Sequence, residues 1–299
     1  MVYMLKMSPL LAIWISCFCT ATNVVISKLA TPYVTSALFL LGACFTASVV
    51  FWFMLGAKDY KRLFDKDVRW KGLGMGTFGT ALTMTVFMVA LNYTTPVNSA
   101  IDNQFEIIYS LILSAIVLKE RPSWKQIGGS MFILLGVILI VLQGGGYVQA
   151  KGDFMILGSL WMFQISHIFA KKLPADLTPA QIAAARSFYA MPALVVLIVA
   201  LYCIQGPLLF NGTAVLWGTL LGSAAINYLL GNILWYHAIR NMDLSKATAI
   251  ILSYPVITFV LSVLMGQDTV SVSKLVGMVL AVGGAYIVTN SARNKGVQA

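Results

Sequence analysis

Four polar side chains in five positions, Asp102, Asn103, Gln104 and Glu106, interrupt an otherwise lipid-soluble stretch between VFMVALNYT and LILSAIVL. Residues four apart share a helix face, so Asn98, Asp102 and Glu106 form one stripe, with Tyr109 a turn further on. At 1.5 Å per residue from Pro96, Asp102 lies about 9 Å along the helix and Glu106 about 15 Å, close to the middle of a hydrocarbon core of roughly 30 Å. An ionisable group at that depth costs roughly 2.5–3.5 kcal/mol even on the lenient insertion scale, so it must face the bundle interior or water. Three chemistries suit such a stripe. It can capture a cationic group such as an ammonium; it can carry a proton, because like charges one turn apart disfavour double ionisation; or it can pair with a basic residue as structural glue.

Arg186 is the one cation deep within an apolar run, the others lying near run ends or between runs, and is the natural partner for Glu106 in the third case. It leaves one carboxylate unmatched, and His167 can supply part of the difference. Alternatively, the planar fork of Arg186 suits a substrate carboxylate, and an amino acid, carrying both charges, would use both ends of such a site. Softer binding candidates are Asn23, with Thr20 and Ser27 near its face, and Asn227, Asn232 and Trp235 in SAAINYLLGNILWYH, where Tyr228 and Tyr236 mark other faces. Trp161, Gln164 and Tyr189 can line a cavity whose aromatic wall would suit an ammonium. Asp102 and Glu106 are also the candidates for proton coupling. Pro192 and Pro255 interrupt apolar runs and mark places where a helix can bend.

The elements that position these groups follow from composition. The 299 residues are 59% hydrophobic and 10% charged, with mean hydropathy +0.85, too apolar for a soluble fold of this size. Ten runs long enough to cross a bilayer occur at about 9–30, 33–55, 70–91, 96–118, 125–142, 153–171, 180–203, 212–236, 244–265 and 272–291, and runs of this length in lipid are helices. The net charge of +10 does not signal nucleic acid, because the basic residues sit in short segments between apolar runs. With the N-terminus cytoplasmic, all 20 Lys and Arg residues except Lys28, Lys151, Lys274 and Arg186 fall on the cytoplasmic side, which places both termini inside. The first run also reads as a signal peptide, since Lys6 precedes it, but its counterpart later in the chain marks it as a mature helix. Cys17, Cys19, Cys44 and Cys203 all fall in apolar runs without metal-ligand spacing and read as buried thiols.

Sliding the chain on itself by 148 residues aligns Ala90 with Ala238, Leu113 with Leu261, Ser114 with Ser262, Gly129 with Gly277 and Gly136 with Gly284, and sets Glu120 over Asp268. The earlier runs align at an offset nearer 143, matching Lys28 to Lys171. A five-helix unit therefore occurs twice, over 1–146 and 147–299. Five is odd, so the second copy enters the membrane from the other side. Inverted repeats of this kind characterise secondary transporters that rock around a midplane site. Gly129, Gly136, Gly277 and Gly284 read as packing positions, where small residues let helices approach closely.

The chain resembles the EamA-type branch of the drug/metabolite transporter superfamily over nearly its whole length, as two copies. The resemblance rests on LILSAIVLKERPSWKQIGG with Glu120, SYPVITFVLSVLMGQD with Pro255 and Asp268, Asn23 followed by Lys28, and Arg186 in the seventh run. It implies ten helices around a central cavity lined by runs 1–4 and 6–9, with runs 5 and 10 peripheral, and export of amino acids or related metabolites. The chain departs from the pattern at Thr20-Ala21, at Ala43 opposite Arg186, and at Ile107 opposite Pro255. Asp102, Asn103, Gln104 and Glu106 stand opposite Ile250, Ile251, Leu252 and Tyr254, so the halves have diverged where substrate would bind.

The reading is an all-α integral membrane protein of the inner membrane, a secondary transporter moving a small polar metabolite, with an amino acid or amine favoured and export or exchange as the direction. A passive channel and an anionic-metabolite exchanger using Arg186 are the alternatives. Expected partners are the substrate, the lipid bilayer and protons, with no nucleic acid, cofactor or metal, and the chain acts as a monomer. An enzyme is excluded, because His167 and His237 lack the spacing of a metalloprotease motif and no Gly-rich turn presents a serine nucleophile.

Overall fold

The computed structural model describes residues 7–117, 123–143, 147–242, 247, 250–251 and 253–293. Its helices are α1 (Pro9–Ala30), α2 (Ser36–Lys61), α3 (Lys66–Ala90), α4 (Pro96–Asp102), α5 (Glu106–Val117), α6 (Trp124–Gln143), α7 (Tyr147–Lys171), α8 (Pro179–Gln205), α9 (Ala214–Asn241), α10 (Tyr254–Leu264) and α11 (Val272–Arg293). Among the described residues no strand forms, only an isolated bridge between Val34 and Phe210. Six helices are long and apolar enough to cross a membrane, and shorter apolar helices accompany them. Large apolar side chains such as Phe53, Ile116, Leu264 and Val279 are about as exposed as a polar surface residue would be in a soluble protein. An outer surface of this kind needs lipid.

Helix starts follow local chemistry. Ser8, Thr95, Thr178 and Thr213 each accept a bond from a first-turn N–H, at Leu11, Asn98, Gln181 and Leu216, and Pro9, Pro96 and Pro179 occupy positions whose N–H would be unbonded in any case. At Thr178 the Gln181 side chain returns a bond to complete a capping box. Pro192 lies within the unbroken α8, whereas Pro255 stands in the first turn of α10, where it starts a helix rather than interrupting one.

Two features are not visible in apolar periodicity. The expected helix over 96–118 is instead α4 and α5 joined by a 3-10 turn, Asn103–Phe105. The long helices α3 and α9 each contain a π-helical segment, Thr77–Leu82 and Ala224–Gly231, at matching places in the two halves. In the first, the Thr83 hydroxyl donates to the Phe78 carbonyl five residues back, at 2.6 Å.

The glycines pack as expected. A Cβ on Gly136 would stand 2.6 Å from the Gly277 carbonyl, and one on Gly284 would stand 2.5 Å from that of Gly129, so α6 and α11 touch backbone to backbone. A large core cluster joins α2, α3, α8 and α9, including Phe39, Phe51, Tyr189, Tyr228 and Tyr236. A smaller one, with Phe87, Leu91, Ala100, Ile156 and Tyr254, lies where α1, α3, α4, α7 and α10 meet. Three cysteines are buried, but Cys203 is exposed near the end of α8, contrary to the expectation that all four are interior. Apolar surface facing lipid is also apolar in sequence, so hydropathy does not separate the two. Glu120 lies outside the described residues; Asp268 is buried and paired with Lys274.

Candidate functional site

The polar stripe is built as two different sites. Glu106 opens α5 immediately after the 3-10 turn and remains 27% exposed at its side chain. One carboxylate oxygen accepts from Gln164 Nε2 at 2.6 Å and lies 3.1 Å from His167 Nε2. Both partners come from α7, at i and i+3, so they share the face of that helix that packs on α5.

The Glu106–Arg186 pair expected from charge counting does not form. Arg186, on α8, donates from Nε to Thr80 Oγ1 at 3.1 Å and reaches the Gly79 carbonyl at 3.5 Å. Both acceptors belong to the π-helical segment of α3, whose wider turn leaves carbonyls turned outward. Its guanidinium lies 5.3 Å from the centre of the Phe163 ring, and that ring meets His167 edge to face at 4.8 Å. A chain of contacts through Phe163 and His167, both on α7, therefore runs from Arg186 to Glu106. Neither has a partner of opposite full charge among the described residues unless His167 is protonated.

Asp102, one turn before Glu106, is fully buried, and among the described residues neither of its oxygens accepts a bond from an N–H or O–H. The group facing it across the α4–α7 contact is another carboxyl, Asp153. Asp153 is itself buried and accepts from the Thr94 hydroxyl. Asn98, also without exposure, faces Asp153, and its Nδ2 is unpartnered, while its Oδ1 accepts from Thr95. Lys28 donates to the Leu91 and Thr94 carbonyls, holding the turn that carries Thr94 and Thr95.

The remaining candidates are scattered. Asn23 accepts from Ser223 at 2.6 Å, tying α1 to α9. Asn227 is half-buried in the π-helical segment of α9, and Asn232 donates weakly to Tyr228 O at 3.4 Å. Trp235 packs against the two apolar clusters on either side of α9. Trp161 is 47% exposed on α7 and is not among the residues of the apolar clusters. Tyr189 is buried in the core around α2 and α8 and donates to Leu63 O. Tyr228 and Tyr236 are buried in that same core.

Asp153 and Thr94 were not legible as site residues. Asp153 is the first residue of an apolar run and Thr94 lies between two runs, so both read as loop ends. An acid exactly at such a boundary, opposite another acid in a neighbouring run, is the only signal the sequence holds.

This is a helical, multi-pass membrane protein with polar groups gathered between its helices. The model of the EamA-like transporter family matches it twice, over residues 7–142 and 150–290, and the chain belongs to that family. It is similar to the uncharacterised transporter YyaM of Bacillus subtilis, 26% identical over 215 residues covering 70% of each chain. It is also similar to a protein of Streptantibioticus cattleyicolor named a probable terminal-alkyne amino-acid exporter, 25% identical over 187 residues covering 60% of each. A crystal structure of a protein superposes over 97% of both chains with a TM-score of 0.58 at 16% identity, a likeness of fold. The family and these relatives are transporters and not enzymes.

Proposed function

We propose that the protein is a secondary active transporter that moves a zwitterionic metabolite, an amino acid or close analogue, outward or in exchange, by alternating access. In this reading it has ten membrane helices in the inner membrane, as two inverted five-helix repeats over 1–146 and 147–299 with cytoplasmic termini, and acts as a monomer. The two successive family matches and the paired π-helical segments support the repeat.

One observation carries the substrate class. Arg186, bonded to a hydroxyl and a carbonyl, and Glu106, bonded to Gln164 and His167, are linked through one aromatic pair, Phe163 and His167. A half-buried charge without a firm partner of opposite charge keeps part of its electrostatic demand, and a ligand of opposite charge supplies it. The ammonium of an amino acid meets Glu106, and its carboxylate meets the fork of Arg186. The name of the Streptantibioticus relative supports the same class.

The test is thermal stability of the purified protein against amino acids, their decarboxylated amines and their N-acetylated acids. Ligand at 100 times its Kd adds about 2.7 kcal/mol. Stabilisation by the zwitterions alone, lost in both Glu106→Gln and Arg186→Gln, is the expected result. A response to the acids alone that survives Glu106→Gln would move the function to an anion exchanger built on Arg186, which its lack of a carboxylate partner also favours.

A further inference from the structure

Asp102 and Asp153 belong to neither end of that substrate site, and their surroundings ask a separate question. Both side chains are fully buried, and both stand beside the apolar cluster of Phe87, Leu91, Ala100, Ile156 and Tyr254. Two ionised carboxylates facing each other there would repel at close range in a low dielectric with no compensating cation. Among the described residues the charged and titratable groups around the pair are engaged elsewhere: on α7 itself, Lys151 lies over the Tyr93 ring, 4.4 Å from its centre. From α1, Lys28 is committed to the Leu91 and Thr94 carbonyls, and Cys17 directs its thiol to the Ile250 and Ile251 carbonyls. From α10, Tyr254 donates to Ala100 O at 3.1 Å. From α5, Glu106 is taken up by Gln164 and His167, and Tyr109 packs into the same apolar cluster. From α11, Met278 and Ala281 face Val97 and Ile101, and the titratable side chain of α6, Lys125, lies in its first turn, away from the pair.

The neutral groups around the pair identify what it holds. A metal cation needs oxygen acceptors, yet the group left over is a donor, the Asn98 Nδ2. The other neutral neighbour, the Thr94 hydroxyl, also donates. Two donors aimed at a carboxyl pair suit a pair that bears one negative charge and one proton between its oxygens.

We propose that Asp102 and Asp153 are the proton-coupling site of the transporter, binding one proton between them and clasping α4 to α7. In the bound state an O–H of one carboxyl donates to the carboxylate of the other. When the proton leaves to water on the side that α4 and α7 enter from, two negative charges face each other and the clasp opens. This rests on the transporter reading given above, but assigns coupling to a residue pair distinct from Glu106, which is left to the substrate. It also spans the two halves of the chain, since α4 lies in the first family match and α7 in the second.

Infrared difference spectra of the purified protein in lipid, recorded across a pH titration, test this without a substrate. A buried carboxylic-acid C=O band is expected at neutral pH, retained in Glu106→Gln and absent in the double variant D102N/D153N. Should the double variant fail to fold, the single variants D102N and D153N carry the test, because asparagine keeps the shape and donates in place of the proton; each must alter the band's frequency or its midpoint. No such band at neutral pH, its loss in Glu106→Gln, or its indifference to both single variants overturns the proposal. A band that follows the pair in a protein that binds no zwitterion would retire the substrate reading and leave the proton site standing.

Discussion

Glu106 and Asp102 are four residues apart on what the sequence presents as one stripe, and the structure gives them opposite surroundings. Glu106 is partly exposed and held by an amide and an imidazole from α7. Asp102 is fully buried and faces another acid, Asp153, which has Thr94 and Asn98 beside it. A 3-10 turn lies between them, ending α4 at Asp102 and beginning α5 at Glu106, and both side chains meet α7, Asp102 at Asp153 and Glu106 at Gln164 and His167. Spacing along the chain establishes that two acids are neighbours. Their chemistry is decided by which residues of α7 each one meets.

Exchanging the two side-chain lengths breaks this comparison hardest. In D102E/E106D an added methylene enters a fully packed site, costing about 1–3 kcal/mol, and the shortened carboxylate loses Gln164 and His167. A lowered Tm together with loss of amino-acid binding is expected in thermal unfolding and titration calorimetry; unchanged values in both would show the sites to be equivalent. Glu106→Gln sharpens it: amino-acid affinity falls by tenfold or more, about 1.4 kcal/mol, while Tm without ligand stays within about 0.5 kcal/mol of the parent. Thr94→Val removes a hydroxyl donor from Asp153 and costs about 1 kcal/mol of stability, read by Tm, with amino-acid affinity unaffected. The smallest effect is expected from His167→Gln, which keeps a donor near Glu106 and lowers affinity by only a fewfold in the same calorimetry.

Much of the fold was legible because bilayer thickness sets helix length and glycine spacing sets close packing. The apolar runs, the Gly129, Gly136, Gly277 and Gly284 contact and the family were all present in the order of residue types. The site was legible only in part. Asp102, Glu106, Gln164 and Arg186 were found because a polar group in an apolar run is costly and therefore stands out. Asp153 and Thr94 sit at run ends, where a polar residue costs nothing and gives no signal. The expected Glu106–Arg186 pair failed for a related reason: charge counting does not know that the π-helical turn of α3 offers Arg186 a carbonyl and a hydroxyl instead.

Those π-helical turns have one more consequence. Each of α3 and α9 carries a surplus residue within a run of hydrogen bonds that are otherwise complete. Such a turn admits the extra residue while the backbone remains a helix, as a segment in lipid requires. The widened turn of α3 is also the one that presents the Thr80 hydroxyl and the Gly79 carbonyl to Arg186, so the irregularity that lipid tolerates is placed where a cation is held.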